Sequence, residues 1–71
     1  MNTIDHIADT VRTVRKAQGL RQEELAAVAN VGRRFLSELE SGKPTLRLDK
    51  VLDVLDALGV AIVIQAPGDE I

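Results

Sequence analysis

The sequence predicts an all-α domain of four to five short helices, closed by one short C-terminal β-strand. Three observations carry that prediction. Apolar residues recur at helical spacing in successive stretches, each ended by Gly or Asn. A last apolar run, residues 60–64, is rich in β-branched side chains and lies between Gly59 and Pro67, which reads as a strand. The chain has 71 residues and no Cys, so it is one domain without a disulfide framework. A domain of about 60 residues buries only ~60% of its unfolded-chain surface and commonly leans on a partner.

The first helix is expected over residues 3–18. Ile4, Ile7, Ala8, Val11 and Val14 share one face, Thr3 serves as N-cap, and Gly19 stops it. The second is expected over 22–29. Glu23 and Glu24 sit in its first turn, at the positive end of the dipole. Leu25, Ala26 and Ala29 give it an apolar face with small residues, suited to close approach by another helix. Asn30, Val31 and Gly32 then break the pattern. Asn30 tolerates a left-handed turn, Val31 is expected to point inward, and Gly32 is an acceptable N-cap. The third helix is expected over 33–40, ended by Gly42 and followed by a loop with Pro44 and Thr45. The fourth covers 48–58, with Leu48, Val51, Leu52, Leu55 and Leu58 on its apolar face and Gly59 closing it. Residues 66–71 read as a loose acidic tail.

Composition removes several classes of function. His6 is the only histidine, so neither a multi-histidine metal site nor a His-based catalytic array is expected. Ser37 has no base nearby in sequence and the carboxylates lack a metal-binding pattern, so no enzyme activity, cofactor or small-molecule ligand is expected. The N-terminus shows no basic stretch followed by an apolar run, as a signal peptide would. Residues 60–64 fall far short of the ~20 residues of a membrane span, so a cytoplasmic location is expected. The formal net charge of −2 argues at first against a nucleic-acid partner. The charge is unevenly spread, however. Residues 1–43 hold seven Lys/Arg against six Asp/Glu, and residues 44–71 hold two against five.

The third helix carries the sharpest signal. At about 100° per residue, Phe35, Leu39 and Leu36 fall on one side, and Arg33, Ser37, Arg34 and Glu38 form a continuous polar side opposite. A short helix with two arginines at its N-terminal end suits a major groove. Arg pairs with guanine O6 and N7, and Glu accepts from cytosine N4. The plainer alternative is a solvated face on which Arg34 and Glu38 pair at i, i+4. Phe35 belongs at the core edge.

The stretch GLRQEELAAVANVGRRFLSELESGK, residues 19–43, resembles the phage-repressor/Cro-like (XRE) helix-turn-helix family without a gap. The resemblance implies a lambda-repressor-like domain over residues 1–59. Three positions depart from the family pattern: Arg21 stands for a Thr/Ser cap, Asn30 for the turn Gly, and Gly32 for a Ser cap. Residue by residue, the resemblance implies that Gln22 touches a DNA phosphate and braces the third helix. It implies that Arg33, Arg34 and Glu38 read bases with Ser37 in support, and that Ser41 and Lys43 meet the DNA backbone. Arg15 and Glu40 match an internal ion pair, so Glu40 is read as structural.

The tail GKPTLRLDKVLDVLDALGVAIVI, residues 42–64, is similar to the HipB-type antitoxins, including the Y4mF-like group. That resemblance implies a repressor of its own toxin–antitoxin operon, partnered by a HipA-type kinase toxin; the alternatives are a free-standing regulator without a toxin and a protein-interaction module that has lost DNA binding. It also implies that residues 60–65 form a dimerisation strand. The residues support a dimer on their own account. Val60, Ile62 and Ile64 fall on one face of the strand, Ala61 and Val63 on the other, so both faces are apolar. No other stretch of the sequence reads as a strand to pair with it, and an unpaired apolar edge is a liability. Antiparallel pairing with a second copy resolves it; packing over its own helices is the alternative. The expected partners are therefore palindromic double-stranded DNA, a second copy and a kinase toxin, and the expected location is the nucleoid.

Overall fold

The computed structural model describes residues 2–68. Four helices follow one another: α1 (Thr3–Ala17), α2 (Gln22–Ala29), α3 (Arg33–Glu40) and α4 (Leu48–Leu58). They pack as α1 against α3 and α4, and α2 against α3 and α4. The core lies where those faces meet. Val11, Leu25, Leu36 and Val54, one from each helix, are its largest fully buried side chains. Ala26 and Ala29 present almost no side chain, which lets neighbouring helices approach α2 closely.

Two details of the sequence-based expectation change. The N-cap of α1 is Asn2, whose side-chain oxygen accepts from the Asp5 amide at 2.8 Å, and Thr3 is the first helical residue. Asn is the stronger cap of the two, and it stands one position earlier. On α4 the buried stripe is Val51, Val54, Leu55 and Leu58, while Leu48 is 65% exposed and Leu52 41% exposed. Leu48 and Leu52 stay open to solvent, and Val54 takes the central place.

The break between α2 and α3 follows the chemistry of its residues. Asn30 adopts φ 58°, ψ 44°, the left-handed conformation. Its short polar side chain makes that region less costly than for most residues. The Val31 amide then reaches back to the Ala26 carbonyl at 3.0 Å, satisfying an acceptor that the helix end leaves open. Val31 packs against the core, and Gly32 turns extended to begin α3.

No strand occurs among the described residues, so the expected C-terminal strand over 60–65 is not an element of the single chain. A strand exists through its ladder, and no second extended segment offers one. Val60 closes onto the core and its amide bonds the Leu55 carbonyl at 2.9 Å. Beyond it, Ile62, Val63 and Ile64 stand 43%, 79% and 89% exposed. Of the tail expected over 66–71, residues 69–71 lie outside the described residues.

Candidate nucleic-acid interface

The helix α3 is amphipathic to its tips. Leu36 and Leu39 are buried, Phe35 is half-buried at the core edge, and Arg33, Arg34 and Ser37 are exposed. The ammonium of Lys50, on α4, lies 5.8 Å from the Phe35 ring centre. That is within cation–π range. Glu38 is half-buried and lies on the same polar side as the arginines.

The charged groups of this face are paired among themselves. Glu38 Oε2 is 3.1 Å from Lys43 Nζ and 3.7 Å from Arg34 Nε. Arg33 Nε lies 3.7 Å from Glu23 Oε2, across the turn on α2. Ser41 donates its hydroxyl to the Glu38 carbonyl at 2.8 Å, and the Lys43 amide donates to the same oxygen at 3.1 Å. That carbonyl therefore shapes the exit of α3 and brings Ser41 and Lys43 beside it.

Behind the polar face, α3 is anchored by charge as well as by apolar packing. Arg15 Nε and Nη2 donate to Glu40 Oε2 and Oε1 at 2.6 and 2.9 Å, in the forked geometry that suits a carboxylate. Arg15 Nη1 donates to the Leu20 carbonyl at 2.9 Å. Gln22 Nε2 adds a bond to Glu40 Oε1 at 3.1 Å, and Arg12 Nη1 donates to the Glu40 backbone carbonyl at 2.5 Å. Burial opposes charge on the Glu40 carboxyl, but the bonds from Arg15 and Gln22 outweigh it and hold its pKa below the ordinary value. The same bond raises the Arg15 guanidinium against the cost of burial. Gln22 thus ties the first turn of α2 to the last residue of α3.

Arg21, in the position of a cap, has a guanidinium that offers no acceptor. Half of a capping box forms nonetheless, because Glu24 Oε1 accepts from the Arg21 amide at 2.8 Å. That bond, followed by the contact with the Arg21 guanidinium, lowers the pKa of the Glu24 carboxyl. Sequence reasoning placed Glu23 only as a first-turn acid and Arg21 only as a weak cap. The contact of Glu23 with Arg33 depends on the turn folding α3 back beside α2, and no sequence period signals it.

Two short helices crossing over a three-residue turn, the second with a buried back and an open polar front, define a helix-turn-helix unit. The chain belongs to the XRE-type helix-turn-helix family, which residues 11–64 match. It is 59% identical over 63 residues to y4mF of Sinorhizobium fredii, described as an uncharacterized HTH-type transcriptional regulator; the match covers 89% of this chain and 83% of that protein. A solved structure, the MDT Protein, superposes with a TM-score of 0.82 over 94% of both chains at 19% identity, a likeness of fold. Among the described residues no helix is long and apolar enough to cross a membrane, and no group of three His, Cys, Asp or Glu is gathered as for a metal ion.

Proposed function

We propose that this chain is a sequence-specific DNA-binding repressor that acts as a homodimer on an inverted-repeat operator. The observation that carries the proposal is α3. Its apolar side and Glu40 are fixed to the other helices, and Arg33, Arg34, Ser37 and Glu38 share the open side. In this reading Arg33, Arg34 and Glu38 choose sequence at base edges, with Ser37 in support. Gln22, Ser41 and Lys43 flank the helix and set its register on phosphates.

The dimer rests on residues 60–64. Beyond Val60, whose amide bonds Leu55, their exposed apolar side chains suit antiparallel pairing with a second copy. Two copies of α3 then enter successive major grooves about 34 Å apart, or another whole number of turns. The toxin–antitoxin reading rests on the likeness of residues 42–64 to HipB-type antitoxins, with a HipA-type kinase as partner. A free-standing regulator is the second reading, with which the description of the y4mF relative as an HTH-type transcriptional regulator is equally compatible.

Titration against the duplex upstream of its own coding sequence tests the central claim. Binding is expected to be sequence-selective and to weaken steeply with salt. Absence of salt-sensitive, selective binding would refute it. Co-purification from the native operon separates the antitoxin from the free-standing regulator, since only the former brings down a kinase-like chain.

A further inference from the structure

Glu23 is shared between two arginines of different elements. Its Oε1 lies 3.6 Å from Arg21 Nε, and its Oε2 lies 3.7 Å from Arg33 Nε. Arg21 is also 3.4 Å from Glu24 Oε1. Arg21 immediately precedes Gln22, and Arg33 opens α3, so the carboxylate draws the two guanidiniums to one edge of the proposed interface. Both remain open to solvent, with side chains 73% and 68% exposed. Together with the Arg34–Glu38–Lys43 group, this leaves a surface of four cations, each facing a glutamate.

That arrangement is unusual for a surface meant to hold a polyanion, and it has a specific consequence. Exposed ion pairs are weak and exchange readily with another anion. On non-cognate DNA, binding is carried by phosphates, and these offer Arg33 no more than the point-charge contact that Glu23 already gives. On a cognate site Arg33 has a bidentate base edge, which Glu23 cannot match in geometry. A carboxylate at this place therefore weakens non-specific binding more than specific binding.

We propose that Glu23 is a built-in competitor for the DNA-binding arginines, and that Arg21, which it holds on the same edge, is an added contact to the DNA backbone. The proposal rests on the DNA-binding reading above. Its measure is the ratio of operator to non-specific affinity, a quantity that a purely structural role for Glu23 would not move.

The test compares wild type with Glu23→Gln, which keeps the side-chain shape, and with Glu23→Gln combined with Arg21→Ala. Each is titrated against the upstream duplex and a mixed-sequence duplex over a range of salt, with thermal unfolding recorded alongside. Glu23→Gln is expected to tighten mixed-sequence binding roughly two- to fivefold, the equivalent of an exposed ion pair. Operator binding should gain less, so specificity falls. The salt slope on mixed sequence should steepen by about one, and Arg21→Ala should reverse that steepening. If wild type binds and Glu23→Gln leaves affinity and slope unchanged, or weakens binding, the competitor role is overturned. A slope that stays steep after Arg21→Ala removes Arg21 from the interface. Failure of wild type to bind any duplex in a salt-sensitive way takes down the DNA-binding reading and this inference together.

Discussion

Arg15 of α1 and Glu40 of α3 form a buried, forked ion pair, with bonds of 2.6 and 2.9 Å. The pair fixes the last residue of α3 to α1, and Gln22 fixes the same carboxylate to α2. The orientation of α3 therefore depends on one carboxylate as well as on Leu36 and Leu39. Breaking a buried pair by removing one partner leaves a charge without compensation and costs about 3–5 kcal/mol. A small domain has a total stability of roughly 0.05–0.15 kcal/mol per residue. Glu40→Ala is therefore expected to remove a large share of the stability of this 71-residue chain and to lower its urea midpoint markedly. Replacing both partners, with Arg15→Met and Glu40→Leu, should recover most of the lost midpoint. If Glu40→Ala unfolds with an unchanged midpoint, the pair does not anchor the helix.

The same carboxylate sets a pH dependence. Its pKa is lowered in the folded chain, by bonds that outweigh the effect of burial. A group with a depressed folded pKa stabilises the fold fully above its unfolded value, about 4.3 for Glu. That contribution is lost as pH falls through the lower folded value. The exposed Glu24 and Asp49 carboxyls are lowered as well, so the wild-type curve alone does not isolate Glu40. The difference between wild type and Glu40→Gln does. The two urea midpoints should converge as pH drops below about 4, and parallel curves would show that Glu40 does not titrate as described.

Asn30 offers a backbone test that is independent of charge. Its φ of 58° is the one left-handed conformation taken by a residue other than Gly among those described. Asn30→Ala is expected to cost about 1 kcal/mol, since Ala pays the full left-handed penalty. Asn30→Gly should be close to neutral or slightly stabilising, because Gly adopts the region freely. Equal midpoints for the Ala and Gly variants would mean that the turn relaxes to another conformation.

The extents of the four helices were legible because each apolar stripe ends at a residue with a physical reason to stop it. Asn30 and Gly59 are left-handed at helix ends, as their chemistry suggests. Periodicity was less informative about which residues of a wide stripe face inward. Leu48, Leu52 and Val54 are all apolar on α4, and the way α4 lies on α2 decides that only Val54 is fully buried. Arg15 and Glu40 are too far apart in sequence for any period to join them; the family resemblance alone suggested the pair. The Glu23–Arg33 contact crosses the turn and had no signal at all. Residues 60–64 alternate as a strand does, but the single chain gives them nothing to pair with.

The polar face of α3 separates two kinds of contact. Lys43 reaches the interface from the loop after α3 and, in the proposed function, meets a phosphate. Lys43→Ala should weaken binding to all sequences alike and reduce the salt slope by about one. Arg34, nearly fully exposed on the helix, is assigned to a base edge. Arg34→Ala should cost about 1–3 kcal/mol on the operator and relax preference at a single position. Binding-site selection with each variant reads out the difference. The assignments are reversed if Lys43→Ala changes the selected sequence and Arg34→Ala does not.

Ile64 distinguishes a dimer strand from a segment that merely lies on its own helices. Its side chain is 89% exposed in the single chain. A substitution at so open a site changes monomer stability by no more than about 0.5 kcal/mol. In a strand paired across a two-fold axis, the same position lies beside its twin's strand, and a charge there is repeated by symmetry. Ile64→Glu is therefore expected to leave the helical circular-dichroism signal unchanged while converting the proposed dimer to a monomer by sedimentation. Operator affinity should fall with it, because one copy of α3 then binds without the other. Deletion of residues 60–71 should have the same effect on mass but should also loosen the fold, since Val60 packs on the core. A dimer that survives Ile64→Glu with unaltered affinity would place the two-fold contact elsewhere on the molecule.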